Sequence, residues 1–119
     1  MTESNLHKRI LAALEETKAR DVKELDVSSL TSVTELMIIA SGTSKRHVKS
    51  LANKVIEEAR AAGRRPLGVE GEREGEWVLV DLDEMVVHLM LPRVRDFYNL
   101  EKLWATAGPA SGAAAAQKG

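Results

Sequence analysis

The spacing of apolar residues predicts a helix and two strands in the first third of the chain. Apolar side chains recur at three- and four-residue intervals from about Ser4 to Ala19, which is typical of an amphipathic helix. A short strand is expected from Val22 to Val27, and the turn-forming segment from Ser28 to Thr34 follows it. The run from Leu36 to Ala40 is apolar at every position, which predicts a strand that is buried on both faces.

The second helix has the clearest pattern in the sequence. Ser44 is suited to cap its N-terminus, because a serine oxygen can accept a hydrogen bond from a first-turn amide. Gly63 is suited to end it, because glycine readily adopts the left-handed conformation that follows many helices. Between them the apolar positions keep helical spacing: Val48, Leu51, Ala52, Val55, Ile56 and Ala59.

The remaining apolar segments predict three strands and a last helix. A short apolar stretch follows Pro66, and two longer strands are expected from Trp77 to Leu82 and from Met85 to Leu91. The two residues between the longer strands, Asp83 and Glu84, are enough for the turn of an antiparallel hairpin. Pro92 is expected to begin a last helix. That helix would carry the apolar side chains of Val94, Phe97, Leu100, Leu103 and Trp104.

This order of elements predicts an α/β (α+β) fold. The 119 residues suffice for one domain, and so few helices are expected to cover one face of a mixed five-stranded sheet. The chain from residue 105 to 119 consists mainly of alanine and glycine and has no apolar periodicity. We therefore expect a folded domain over residues 1–104 and a disordered tail after it.

Composition excludes several classes of function and location. The chain has no cysteine, so it forms no disulfide and no thiolate metal site. No apolar run approaches the roughly 20 residues that span a bilayer, and the N-terminus lacks the layout of a signal peptide, so a cytoplasmic location is expected. The net charge of -1 argues against a protein that bulk charge drives onto nucleic acid.

Charge is nevertheless unevenly distributed along the chain. From Lys45 to Arg65 there are seven basic residues against two acidic ones, and from Glu70 to Glu84 there are seven acidic residues against one basic residue. Such runs are typical of solvated faces. Two functional alternatives stay open: the acidic segment steers a basic partner towards the domain, or the basic segment forms an RNA-binding module.

The turn from Ser41 to Lys45 is the first candidate for chemistry. It connects a strand to a helix, where backbone N–H groups can hold a phosphate. However, it lacks the second glycine and the spacing of a phosphate-binding loop of the type G-x-x-x-x-G-K-[ST]. We interpret it as a tight turn with a capping serine.

Asp81 and Asp83 are the second candidate, because carboxylates two residues apart can bind Mg²⁺ at the end of a strand. A nucleotidyltransferase uses such a pair beneath a Gly-Ser turn, but a third carboxylate is missing from the apolar strands. The three histidines lie on separate elements and have no ligand spacing for zinc. We therefore assign no catalytic, cofactor-binding or metal-binding residue. A divergent Mg²⁺-dependent nucleotidyltransferase that uses this aspartate pair is the alternative function.

The predicted hairpin has two faces of different composition. Strand alternation places purely aliphatic side chains on one face, which should belong to the core. The opposite face mixes Trp77, Leu79 and Asp81 with His88 and Met90, a composition typical of a surface that binds another protein. The alternative is that the last helix folds back over this face and buries Trp77 beneath it.

Several stretches of the chain together resemble the ribosomal silencing factor (Iojap) family. Their order and spacing make the resemblance specific, and it extends from about Leu6 to Trp104. The chain departs from the commonest family pattern at Glu35-Leu36, where many members have Asp-Tyr, and at Asp83-Glu84, where many have Gly-Asp. The matching stretches are Thr34–Val48, Pro66–Gly71, Glu76–Asp81, Val86–His88 and Phe97–Trp104.

The resemblance implies a domain related to the nucleotidyltransferase fold but without its activity. The resemblance further implies that the protein binds the large ribosomal subunit through the ribosomal protein numbered fourteen, prevents subunit joining and so lowers translation when nutrients are scarce. Direct contact with RNA is expected to be minor, and dimerisation of the free protein stays open. The hairpin face and the family stretches together give the expected partner-binding residues: Trp77, Leu79, Asp81, His88, Met90, Tyr98, Leu100 and Trp104.

Overall fold

The computed structural model describes residues 5–27 and 36–99, which form three helices and five strands. Helices and strands follow one another in the order that the apolar pattern predicts. Their bounds are α1 Asn5–Glu16, β1 Arg20–Asp26, β2 Leu36–Ser41, α2 Lys45–Ala61, β3 Gly68–Glu70, β4 Trp77–Asp81, β5 Met85–Met90 and α3 Pro92–Tyr98.

The five strands form one mixed sheet in the order β1-β2-β5-β4-β3. Strands β2 and β5 are parallel, whereas every other neighbouring pair is antiparallel. The apolar strands β2 and β5 lie at the centre, and β1 and the three-residue β3 form the edges. The prediction of a mixed five-stranded sheet is therefore confirmed.

Helices α1 and α2 cover one face of the sheet, as expected from their amphipathic patterns. The apolar side of α2 packs on β4 and β5, and α1 packs on α2. The aliphatic side chains of the hairpin point into this core, where Val78, Val80 and Val87 are fully buried. The face predicted to be core from strand alternation is therefore the core.

Both ends of α2 have the predicted caps. The Ser44 hydroxyl accepts a hydrogen bond from the His47 amide at 3.1 Å. At the other end, Gly63 has φ of 80°, and the amides of Gly63 and Arg64 bond to carbonyl groups in the last turn of the helix. This pair of hydrogen bonds satisfies carbonyls that would otherwise have no intrahelical partner.

The hairpin between β4 and β5 has the expected two-residue turn. Asp81 pairs with Val86, so Leu82 and Met85 close the ladder around Asp83 and Glu84. Asp83 adopts φ of 76°, and its amide donates a hydrogen bond of 2.9 Å to the Asp81 carboxylate. The side chain of the last strand residue therefore stabilises the turn that follows it.

The last helix is shorter than expected. Asn99 takes the left-handed conformation with φ of 51°, and its amide bonds to the Arg95 carbonyl, which ends α3 at Tyr98. The expectation of one helix that continues to Trp104 is wrong, because asparagine tolerates this conformation and so can stop a helix. Leu100, Leu103 and Trp104 lie outside the described residues.

Candidate docking surface

The face of the sheet opposite α1 and α2 carries the side chains that strand alternation separates from the core. Opposed residues of an antiparallel pair share a face, so Trp77 lies beside Met90, Leu79 beside His88 and Asp81 beside Val86. We call this set the docking face: Trp77, Leu79, Asp81, Val86, His88 and Met90.

Exposure on the docking face decreases from β4 towards the centre of the sheet. Trp77, Leu79 and Asp81 are half-buried, whereas His88 is 6% exposed and Met90 is fully buried. Met90 belongs to a second apolar cluster, which it forms with Val27, Met37 and Ile39. Of the predicted contact residues on the hairpin, the three on β4 therefore present surface, and the two on β5 lie beneath it.

A hydrogen bond connects the exposed part of the docking face to this buried layer. The indole Nε1 of Trp77 donates to His88 Nδ1 at 3.0 Å, and the two ring centroids are 5.9 Å apart. Since the indole can only donate, Nδ1 must accept, and neutral His88 carries its proton on Nε2. Burial lowers the pKa of His88 from 6.5 to about 4, so the ring is neutral at physiological pH and can accept this bond.

Trp77 also borders an open hollow between the start of β4 and α3. The hollow has a volume of about 430 Å³, and Val94 and Phe97 of α3 line it together with Trp77. Phe97 is 79% exposed. The rim is charged, because the Glu76 carboxylate lies 3.5 Å from Lys45 Nζ and 3.6 Å from an Arg93 guanidinium nitrogen.

The position of α3 shows how far the described part of the last helix covers Trp77. Val94 packs beside Trp77, but the indole stays half-buried and Phe97 points largely into solvent. Within the described residues, α3 therefore borders the docking face without closing it. Phe97 was expected to pack over Trp77 if the last helix covers the hairpin and is not among the expected contact residues, although it stands in one of the family stretches.

The predicted contact residues beyond α3 cannot be placed on the docking face. Tyr98 is the last residue of the helix, and its side chain is not among those described. Leu100 and Trp104 lie outside the described residues. Their assignment to partner binding stays a prediction.

The acidic segment reaches the docking face at Glu70, on the edge strand β3. Glu70 of β3 pairs with Leu79 and so lies on the same side of the sheet. Glu70, Glu72 and Glu74 are exposed and form no ion pair with another described residue. Glu84, by contrast, is 2.7 Å from Arg64. Glu76 and Glu84 are therefore neutralised within the molecule, whereas Glu70, Glu72 and Glu74 keep their charge.

The geometry of the catalytic candidates favours structural roles. The Asp81 carboxylate is engaged by the Asp83 amide, and no group of three or more His, Asp or Glu residues in the described segments could hold a metal ion. In the turn after β2, the Gly42 amide bonds to the Met90 carbonyl and the Thr43 amide bonds to His47 Nδ1 at 2.8 Å. The interpretation of this segment as a capped turn is confirmed.

The described helices share one further property: none has the length and apolar character needed to cross a membrane.

The fold is that of a small mixed α/β domain with known structural relatives. A crystal structure of a Chromobacterium violaceum protein superposes with a TM-score of 0.82 at 49% sequence identity, covering 87% of each chain. A Bacillus halodurans protein of known structure gives a TM-score of 0.76 at 31% identity, covering 83% of this chain and 92% of that one.

Sequence comparison identifies the family. The model of the family described as "Ribosomal silencing factor during starvation" matches residues 1–118, which includes most of the alanine-rich segment after Trp104. The ribosomal silencing factor RsfS of Chromobacterium violaceum is 47% identical over 94% of this chain and 92% of its own length. That of Bacillus subtilis is 35% identical over 90% and 91%. The chain belongs to the ribosomal silencing factor family, whose name describes a regulatory factor and not an enzyme.

Proposed function

We propose that the protein represses translation by binding the large ribosomal subunit through its fourteenth ribosomal protein. The bound domain would occupy part of the surface on which the small subunit docks, under nutrient limitation in the cytoplasm. The relatives named ribosomal silencing factors support a role at the ribosome, as does a mouse relative named for assembly of the mitochondrial ribosomal large subunit.

The observation that carries the proposal is the half-exposed, mixed docking face beside an aromatic hollow. Trp77, Leu79 and Asp81 would make the contact, and Phe97 would extend it onto α3. Aromatic side chains supply much of the binding energy of protein interfaces, because they bury a large area at a small cost in conformational entropy. His88 and Met90 would support these residues from beneath.

Charge would orient the complex. The acidic edge beside β4 is complementary to a ribosomal protein of the usual basic composition, and complementary charge raises the rate of association. Tyr98, Leu100 and Trp104 would continue the contact beyond α3. The mechanism requires no chemistry, since a bound domain excludes the small subunit by its volume alone.

The test compares binding to three purified partners: free large subunits, joined ribosomes and the isolated fourteenth ribosomal protein. We expect co-sedimentation with free large subunits, no co-sedimentation with joined ribosomes, and binding to the isolated protein without RNA. Equal recovery with free and joined particles would contradict steric exclusion, and failure to bind the isolated protein would contradict the proposed partner.

A further inference from the structure

Three arginines meet at the C-terminal end of α2, away from the docking hollow. Arg60, Arg64 and Arg65 line an open cavity of about 480 Å³ together with Gly63. All three side chains are exposed. We call these three residues the arginine cluster.

The backbone at the end of α2 fixes the arrangement of the cluster. Gly63 adopts the left-handed conformation, and the Arg64 amide donates a hydrogen bond of 2.8 Å to the Ala59 carbonyl. The chain therefore turns back towards the helix within two residues. Arg64 and Arg65 therefore lie beside Arg60 instead of continuing along the helix axis. The Arg64 guanidinium is held further by the Glu84 carboxylate at 2.7 Å.

The charge of the cluster is only partly neutralised. Glu84 is an ion-pair partner of Arg64, whereas Arg60 and Arg65 form no ion pair with any other residue in the segments 5–27 and 36–99. Elsewhere on the two long helices, Arg9 and Lys54 pair with Glu58 and Glu57. Two guanidinium groups therefore remain available around one concave site.

We propose that the arginine cluster binds the phosphate backbone of ribosomal RNA in the large subunit. This inference rests on the proposed function, which places the domain on a particle made of protein and RNA. A guanidinium group is planar and donates paired hydrogen bonds that match phosphate oxygens, and several around one cavity can bind successive phosphates.

The docking face and the arginine cluster suit partners of opposite charge. The acidic edge of the docking face suits the basic ribosomal protein, and the same basic protein would repel the arginine cluster. The component of the particle that attracts the cluster is therefore RNA. The two contacts are compatible in space, because the Arg64–Glu84 ion pair links the cluster to the hairpin turn at which the docking face ends.

The RNA contact adds to the protein contact and does not replace it. At a net charge of -1 the whole chain should have little affinity for RNA alone. A domain already bound to the ribosomal protein, however, presents the cluster to nearby RNA at high effective concentration. The cluster should therefore raise affinity for large subunits and leave affinity for the isolated protein unchanged.

The experiment uses the double variant Arg60→Gln/Arg65→Gln in the full chain. Both side chains are exposed, so the variant should keep the melting temperature of the wild type. The matched control, Lys18→Gln/Arg46→Gln, removes the same charge near the opposite end of α2, where the Thr17 carbonyl bonds to His47. Affinity for large subunits is measured over a range of salt concentrations, and affinity for the isolated fourteenth protein is measured beside it.

We expect the cluster variant to bind large subunits roughly tenfold more weakly at moderate salt. The slope of its affinity against salt concentration, on logarithmic axes, should be shallower by roughly 1 for each phosphate that the variant can no longer neutralise. Its affinity for the isolated protein should equal that of the wild type, and the control should match the wild type in both measurements.

Unchanged subunit affinity and salt dependence in the cluster variant would overturn the inference. An equal weakening towards the isolated protein would also overturn it, since the cluster would then bind protein. A wild type that binds large subunits but not the isolated protein would contradict the proposed partner. The subunit affinity of the cluster variant would still test the RNA contact in that case. A wild type that binds neither would overturn both proposals.

Discussion

The indole of Trp77 packs against the second apolar cluster and also donates a hydrogen bond to a buried histidine. Its ring borders the hollow beside Phe97, and its Nε1 donates to the buried His88. A buried acceptor that loses its donor costs roughly 1–3 kcal/mol, so the two side chains stabilise each other. The hydrogen bond therefore restricts the orientation of the indole, which would reduce the entropy lost in the proposed contact.

Replacing Trp77 by alanine should weaken binding to the fourteenth ribosomal protein by roughly 2 kcal/mol or more, about thirtyfold in affinity. Stability should also fall, by roughly 1–3 kcal/mol, because His88 Nδ1 loses its donor. Titration of the partner and urea unfolding measure the two effects separately. Trp77→Phe is the matched control, since it keeps an aromatic ring but removes the indole N–H together with part of the ring area. A large stability loss with full binding by the folded fraction would place the interface elsewhere.

The stability of the protein should depend on pH through His88. Burial holds the pKa of His88 at about 4 in the folded state, against 6.5 when the ring is solvated. Between these values the unfolded chain binds a proton that the folded protein does not, so stability falls as the pH drops from 6.5 to 4 and this loss is complete below 4. The full loss is about 3 kcal/mol, at about 1.4 kcal/mol per pH unit.

Urea unfolding across pH 4 to 7 checks the His88 prediction. The variant His88→Gln has no titratable group at this position, so its stability should change less with pH than that of the wild type. Parallel stability profiles for the variant and the wild type would contradict the prediction, because they would show that His88 has the same pKa in the folded and unfolded protein.

Single residues can be predicted from the sequence when their role depends on groups nearby in the chain. Ser44 and Gly63 were predicted as caps because each acts on backbone groups a few residues away. Alternation along the hairpin also gave the correct face for His88 and Met90, but not their depth. Depth depends on Val27, Met37 and Ile39, which reach the same face from β2 and the end of β1 and have no pattern linking them to β5 in sequence.

At the scale of elements, the β4–β5 hairpin is specified by its own sequence. The turn needs one residue at positive φ, and Asp83 supplies it at 76° while Asp81 accepts its amide. Aspartate tolerates this conformation better than most residues. Gly71, at positive φ, also approaches β4 closely, because a Cβ atom on Gly71 would overlap the Trp77 carbonyl oxygen.

Substitutions of Asp83 should change the stability of the hairpin and leave silencing intact. Asp83→Ala keeps the β-carbon at positive φ but loses the polar side chain that helps aspartate tolerate this conformation, and it should cost roughly 1 kcal/mol, whereas Asp83→Gly, which has no β-carbon, should be close to neutral. Unfolding free energies and a subunit-joining assay measure both properties. Loss of silencing in the stable glycine variant would show that the Asp83 carboxylate acts in function, as the nucleotidyltransferase alternative requires.

The length of α3 shows where prediction of elements fails. The apolar residues from Val94 to Trp104 keep helical spacing, and nothing in that spacing distinguishes Asn99 from other polar positions. Asparagine is compatible with both the helical and the left-handed conformation, so the choice depends on tertiary surroundings. Periodicity alone therefore predicts an uninterrupted helix, whereas the described chain ends α3 at Tyr98.

At the scale of the whole molecule, the two charged segments form separate surfaces. Lys45 pairs with Glu76 and Arg64 with Glu84, which neutralises the contact between the basic helix and the acidic segment. Exposed pairs such as these contribute little stability. The charges that remain lie in two places: an acidic edge beside β4 and the arginine cluster at the end of α2. The sequence shows that the two kinds of charge are separate along the chain, and the fold shows that they are also separate on the surface.

Removing residues 105–119 should leave both fold and binding unchanged. We propose that the functional domain ends near Trp104, because the residues after it offer no periodic apolar side chains to a core or an interface. Thermal melting and binding to large subunits compare the truncated and full chains. A loss of binding at an unchanged melting temperature would show that the alanine-rich segment makes a contact, as its inclusion in the family match would then suggest.

The parallel pairing of β2 with β5 has a consequence for how the protein emerges during its own synthesis. Leu36 pairs with Met85, so the apolar strand β2 leaves the peptide tunnel 49 residues before its neighbour. At translation rates of about 5–20 residues per second this delay is roughly 2–10 s. During it, β1 can protect one edge of β2 while the other edge offers unpaired backbone groups and aliphatic side chains. The unpaired edge of β2 therefore makes the nascent chain prone to aggregation while it is still attached to the ribosome.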